Sequence, residues 1–593
     1  MTEFAFLQKF YGSLALMVLA FWGLGRSLLD ILKAEHRDDR WLSNALAIAV
    51  GLGVFTLALQ GLAIAAQLKR PFLLALLILG WCLAARQTWR SWQDRRLTDA
   101  RSREVTWHAL DLLSLGLVLT VWVPTLVAPL TPPMQWDELM YHLPHAKQWA
   151  QSGALTINEW LRYPWFPYNY DLLYAAAIVL KGDILAHLLH ALAGWLVALM
   201  MYRLGLRHGG RAVACLATSA WLVMGGHLYA SAYIDLGMSL FVMSSFVSMW
   251  LWWQQRSQQG WLLIGAFCLG LAAGSKYQAL TYLPLFVTVL LCLEHRSWKT
   301  WATAAAAFLL PCAYWYLRNY IETGDPFDPL GAHIFGFYDW NEWDLNGQLA
   351  DLKKVSNWPP KALWPALLAL LMPRFYRDPY RRGALLFGVY GSLVWLATSH
   401  YDRYLLPMYP VLALLSAQVI VDAAGWTLRH RPRLVLEPAW IRQQLSLLLA
   451  LGLLLAAGRH GWRASQDYIS RVAFTPAQRE LILTQVFPVY PMLQKLNLLT
   501  DRKIYQIGLE NLIYYAPTPI WGEVFGPWRY SERLHIGLQI GAQALAQRLS
   551  SDGFNTLLAR DDVLQDFRRD PEFDRYFRSI EKGAGAEAFH VLP

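Results

Sequence analysis

The sequence predicts a polytopic α-helical membrane protein, with about fourteen transmembrane helices and a small C-terminal α/β extracytoplasmic domain. Three observations support this. Hydrophobic residues make up 56% of the chain and charged ones only 16%, apolar stretches recur from residue 10 to residue 459, and the chain changes character after residue 460. Crossing the hydrocarbon of a bilayer takes about 20 helical residues. A soluble core in a chain this long needs no such apolar excess.

The apolar stretches run 10–32, 43–66, 71–85, 108–130, 184–204, 211–230, 236–253, 260–275, 278–293, 300–317, 361–373, 383–398, 404–426 and 443–459. The third and eleventh are the shortest. The first is too long, and too poor in preceding positive charge, for a cleaved signal peptide, and reads as a retained anchor. Residues 1–107 thus form a group of three N-terminal helices. Residues 108–460 form the main membrane module, with long loops at 131–183 and 318–360, and residues 461–593 form the terminal domain.

Cytoplasmic loops retain Lys and Arg, so loop charge orients the chain. One alternating set carries Lys33, Arg37 and Arg40, then Arg86, Arg90, Arg95, Arg96, Arg101 and Arg103, then Arg203, Arg207 and Arg211. It continues with Arg256, with Arg296 and Lys299, with Arg374, Arg377, Arg381 and Arg382, and with Arg429, Arg431, Arg433 and Arg442. The opposite set holds only Lys69 and Arg70, Lys276 and Arg403 in its short loops. The long loops and everything after residue 460 are therefore expected outside the cytoplasm. The polar chemistry is therefore expected outside too.

The net charge of +10 sits in the inter-helix loops and is explained by topology, not by nucleic acid. Clusters such as Trp250, Trp252 and Trp253 fall at helix ends, where interfacial rings belong. Cys82, Cys215, Cys268, Cys292 and Cys312 all lie in apolar spans and form neither a metal pair nor a disulfide framework. In the terminal domain, 504–508, 555–559 and 589–593 read as strands, and 532–551 and 561–580 as helices.

The chemistry is expected in the outer loops. Residues 132–153, PPMQWDELMYHLPHAKQWAQSG, place Asp137 and Glu138 just past the fourth span, where charge is costly without a purpose. Asp137 alone also suits a helix N-cap. Glu138, His142 and His145 share a face and resemble metal ligands, but Pro144 interrupts a continuous helix there. Asp235 opens the seventh span after another outer tip and is again a candidate cap. Together, Asp137 and Asp235 suit a general base or a divalent cation holding a phosphate. Lys276 and Arg403 fall at the same membrane level and suit a lipid phosphate; snorkelling to the interface is the alternative. Outside the cytoplasm no nucleotide-activated sugar is supplied, so a transferred group must arrive on a membrane carrier. The chain has no Walker lysine motif, G-x-S-x-G elbow or D-x-D triplet.

Six segments, WDELMYHLPHAKQWAQSG, FPYNYDLLYAAAIVLKGD, YASAYIDLGMSLF, GLAAGSKYQAL, RNYIETGDPFDP and YDRYLLPMYP, carry a family resemblance. Over about residues 108–425 the chain resembles the GT-C class of membrane glycosyltransferases, in particular Rgt-like bacterial enzymes and protein mannosyltransferases. The resemblance implies transfer of a sugar from a polyprenyl-phosphate carrier to an extracytoplasmic glycan, lipid or protein, with inversion. It places the catalytic acids at Asp137, Glu138 and Asp235, with a divalent cation on Asp137 and Asp235. It assigns carrier-phosphate and donor binding to Lys276, Arg403, Tyr404, Arg318 and His142. Where the family usually writes Asn before Pro, this chain has Asp325-Pro326. Rival readings are a flippase for lipid-linked sugars, against which the absence of internal repeats argues, and a polysaccharide ligase using a lipid diphosphate.

Overall fold

The computed structural model describes residues 2–593 except 35, 37, 98–108, 294–296, 339, 355–357, 431–438, 497–501, 517–519 and 523–528. Arg37, Arg101, Arg103, Arg296, Arg431 and Arg433, expected on the cytoplasmic side, lie outside the described residues.

Among the described residues, eight helices are long and apolar enough to cross a membrane: Glu3–Ile31, Arg40–Ile64, Arg70–Gln93, Asp111–Leu130, Asp183–His208, Arg211–Ala230, Asp235–Gln254 and Asp402–Trp426. The protein is a multi-pass membrane protein. The other expected spans are also helical. Gln259–Ala273 and Tyr277–Cys292 are short apolar helices, and Trp298–Thr323, Pro379–Thr398 and Ala439–Ile469 complete the set. Fourteen full spans are therefore not reproduced.

Two local features account for much of the difference. Lys361–Leu371, interrupted by Pro365, is wound as a 3-10 helix, whose rise of about 2.0 Å per residue lets a short segment reach further than an α-helix. Asp171–Leu180 is a buried apolar helix inside what the sequence suggested was an outer loop.

The three N-terminal helices pack backbone to backbone through glycine. A Cβ on Gly25 would meet the Ala47 carbonyl oxygen at 1.8 Å, and one on Gly51 would meet the Phe21 carbonyl oxygen at 1.7 Å. Small residues substitute for the hydrophobic effect as the packing force between membrane helices.

The terminal domain holds a five-stranded sheet, β1 (Ile504–Ile507), β2 (Ile520–Trp521), β3 (Thr556–Arg560), β4 (Phe577–Gly583) and β5 (Ala586–Val591), in the order β2-β1-β3-β5-β4. The first three strands are parallel, and β5 is antiparallel to both β3 and β4. The helix expected over 561–580 is two short helices, Asp561–Phe567 and Phe573–Tyr576, followed by an edge strand, Phe577–Gly583. Only Phe577 of that strand is buried, so its apolar pattern is too sparse to read as a strand from sequence.

This domain docks on the loop that carries Asp137. The Tyr515 hydroxyl donates to the Pro133 carbonyl at 2.6 Å, the Tyr514 N–H to the Leu139 carbonyl at 3.2 Å, and Lys147 to the Tyr514 and Ala516 carbonyls at 3.0 Å each. Arg479 grips Asp183 through both guanidinium nitrogens, at 3.2 and 2.5 Å.

Candidate active site

Asp137 and Glu138 sit at the start of a π-helical turn, Glu138–His142, that runs directly into the helix Leu143–Ser152. Pro144 opens that helix, where it has no amide hydrogen to lose. The wide turn breaks the regular face on which Glu138, His142 and His145 would have converged. His142 instead contacts Asp171 at 2.6 Å, and His145 the Arg162 carbonyl at 2.9 Å. Burial lowers the His145 pKa to about 4, so its ring is neutral near pH 7.

The two adjacent acids have different surroundings. Glu138 is fully buried. One of its oxygens accepts the N–H groups of Met134 and Gln135, both at 2.7 Å. The other accepts the Ala232 N–H at 2.6 Å and contacts His187 Nε2 at 2.8 Å. Glu138 thus ties its own loop to the 231–234 tip and to the helix Asp183–His208, with neither oxygen left over for a substrate.

Asp137 makes no capping hydrogen bond. Its carboxylate lies 2.6 Å from Arg403 Nη1, and its backbone N–H donates to the Tyr233 hydroxyl at 3.3 Å. Burial works to raise the carboxyl pKa. Arg403, then Arg162 and His142, outweigh that and hold it down at about 2.

Asp235 also escapes the capping role, since it lies within the first turn of its helix and pairs with Lys276 at 2.9 Å. Lys276 is delivered by the turn after Ala273, where a Cβ on Gly274 would meet Asn169 Nδ2 at 2.1 Å, so only glycine fits. The Tyr404 ring joins the two pairs, with Lys276 Nζ 4.3 Å and Arg403 Cζ 5.7 Å from its centroid. The Arg403 guanidinium also lies 5.4 Å from the Tyr233 ring. The basic side chains are the open members of this cluster: Arg403 is 27% exposed against 13% for Asp137, and Lys276 17% against 4% for Asp235.

Four loops far apart in sequence therefore converge on alternating acid and base, with the cations toward the opening. That face suits a phosphate, which both cations can reach. Among the described residues, no group of three or more His, Cys, Asp or Glu is placed to hold a metal. Asp137 and Asp235, expected as cation ligands, each face a basic side chain.

Arg318, expected among the carrier-binding residues, is engaged elsewhere. It donates to Asn319 at 2.8 and 3.1 Å and lies over the Trp165 and Trp315 rings, 5.4 and 5.0 Å from their centroids. Sequence reasoning missed Arg162, Tyr233, His187 and Arg479. Tyr233 stands two residues before Asp235 and was the most accessible of these to inspection, whereas the partners of the others are set only by tertiary structure.

Residues 164–322 match the model of the dolichyl-phosphate-mannose-protein mannosyltransferases, and residues 478–590 match a family described as SF2091/S2213. The chain is 32% identical over 150 residues to the uncharacterized protein SF2092/S2214 of Shigella flexneri, a match covering 22% of this chain and 76% of that protein. It is 29% identical over 160 residues to SF2093/S2215 of the same organism, covering 25% of this chain and 80% of that protein. The fold matches that of ArnT from Cupriavidus metallidurans bound to undecaprenyl phosphate, with a TM-score of 0.50 and 14% identity over 80% of this chain and 97% of that one. It also matches the Archaeoglobus fulgidus oligosaccharyltransferase tethered to an acceptor peptide, with a TM-score of 0.50 and 12% identity over 81% of this chain and 74% of that one.

Proposed function

From a chain that belongs to the family of SF2092/S2214 and carries the GT-C fold of membrane glycosyltransferases, we propose an enzyme that moves a sugar from a polyprenyl-phosphate carrier to an extracytoplasmic acceptor. The observation that carries this reading is the Asp137–Arg403 pair beside Lys276 and Asp235, with both cations on the open side. Undecaprenyl phosphate in the ArnT complex supports a carrier of the same chemistry here.

The proposed transfer is inverting. The acceptor hydroxyl attacks the anomeric carbon from the face opposite the phosphate, its proton passes to Asp137, and the carbon–oxygen bond to the carrier breaks. The carrier leaves as polyprenyl monophosphate. Its growing charge falls on Arg403 and Lys276, a fixed arrangement that needs no reorganisation during the reaction. At a pKa of about 2, Asp137 is charged but a feeble base while Arg403 is its partner. A carrier phosphate that draws the guanidinium to itself raises the basicity of Asp137, so the base becomes competent only when the donor is bound.

The test is a purified-protein assay with a polyprenyl-phosphate sugar, following free polyprenyl phosphate. Acceptor-dependent release of the monophosphate supports transfer. Release of a diphosphate from a diphosphate donor alone points to a ligase, and movement of intact donor across the bilayer without release points to a flippase.

A further inference from the structure

A second cavity lies away from the charged cluster, between the helix Leu143–Ser152 and the docked terminal domain. Its volume is about 620 Å³, within the range of about 300–1,000 Å³ typical of ligand sites. The helix is amphipathic. Leu143, Pro144, His145, Ala146 and Trp149 are buried, while Lys147, Gln148 and Gln151, with Pro144 at the head of the same face, line the cavity. Trp160, Trp165 and Trp521 complete the wall. Trp521 stands on the edge strand β2, and the buried Trp165 indole N–H has no hydrogen-bond partner among the described residues.

The chemistry of the wall selects its occupant. Flat aromatic faces accept the C–H faces of sugar rings, and side-chain amides offer a donor and an acceptor together, as a hydroxyl group does. Charge excludes other classes. Glu159 and Glu322 line the cavity with a single cation, Lys147, and Lys147 is committed to the carbonyls of Tyr514 and Ala516. Among the described residues, a phosphate or an acidic polymer would meet two carboxylates and no base beyond Lys147.

We propose that this cleft binds a neutral glycan, the acceptor chain, and holds it while its end reaches the charged cluster. The inference rests on the transferase reading and deepens it by naming the acceptor class. The continuity of the structure supports it, because the cleft-lining helix follows directly on the turn that carries Asp137.

The experiment is equilibrium dialysis of the full-length protein in detergent against radiolabelled neutral oligosaccharides of the producing bacterium, released by mild acid, with terminally phosphorylated counterparts as the second probe. Wild type should bind the neutral probe more tightly than the phosphorylated one. Gln148→Ala combined with Gln151→Ala should weaken binding about tenfold, the worth of two modest hydrogen bonds. Trp521→Ala should do the same through loss of a stacking face, with the fold checked by thermal melting. No binding to wild type, a preference for the phosphorylated probe, or affinity unchanged in all cleft variants overturns the proposal. Retained binding without any transfer overturns the enzymatic reading and leaves the glycan site standing.

Discussion

Arg403 and Asp137 lie 266 residues apart in sequence and 2.6 Å apart in space. The pair joins the first long loop to the start of the span Asp402–Trp426. Asp137→Asn keeps the size of the side chain and removes the base. Loss of a general base costs roughly 10²- to 10⁴-fold in rate. Transfer from a polyprenyl-phosphate sugar should fall by that much while the protein stays folded, with a smaller loss of stability than Arg403→Ala because the stranded Arg403 is the more exposed partner, and full activity in the variant would remove Asp137 from the mechanism.

Arg403→Ala has a different signature. It strands a buried carboxylate, and losing one partner of such a pair costs about 3–5 kcal/mol; the partial exposure of Arg403 places this case near the lower end. Combining it with Asp137→Asn removes the uncompensated charge. The double variant should therefore melt above Arg403→Ala alone while remaining inactive, and a double-mutant cycle in thermal unfolding measures the coupling. Simple additivity would show that the pair contributes nothing.

The sequence placed Asp137, Asp235, Lys276 and Arg403 at one membrane level because loop charge alternates with a period set by the spans. It could not say which acid meets which base, since such pairing depends on helix rotation and tilt. Glu138 shows the limit more sharply. Adjacent to Asp137, it looked like half of a catalytic pair, yet its partners Ala232 and His187 stand 94 and 49 residues away. A local pattern cannot distinguish a carboxylate that accepts four hydrogen bonds from one left free to react. The strand Phe577–Gly583 was hidden for a related reason, because an edge strand with one buried residue shows too little alternation.

Those four contacts define the expected behaviour of Glu138→Gln. An amide turns one end from acceptor to donor, so at least one backbone N–H loses its partner, a loss of about 1–3 kcal/mol. Stability should drop and kcat should fall, because the Asp137 loop is no longer tied to the 231–234 tip. The KM for the lipid donor should change little, since Arg403 and Lys276 remain in place. A selective rise in that KM would assign Glu138 to donor binding instead.

His145 gives the protein a pH-dependent component of stability with a definite sign. Burial depresses its pKa to about 4, whereas an unfolded histidine titrates near about 6.5. Between those values the unfolded state binds the extra proton. Stability linked to this ring is therefore full above pH 6.5 and declines as pH falls toward 4. Melting temperature should decrease across that window, and His145→Gln should flatten part of the slope. An identical slope in the variant would assign the dependence to other groups.

The link between Arg479 and Asp183 ties the terminal domain to the frame that carries Asp137. Tyr514 shares Asp183 through its hydroxyl at 3.0 Å, and its backbone N–H holds the Leu139 carbonyl, two residues past Asp137. Arg479→Ala should loosen that docking before it unfolds anything, because the apolar cluster formed by Tyr505, Ile507, Leu557 and Phe589 with the helix residues Leu545 and Leu549 includes no residue of the contact. Hydrogen exchange at the Tyr514 amide should accelerate by about tenfold or more, equivalent to about 1.4 kcal/mol, while amides in β1 and β3 keep their protection. Transfer should slow in parallel, since the turn carrying Asp137 loses one of its supports. Faster exchange with undiminished transfer would show that the docked domain does not position the base.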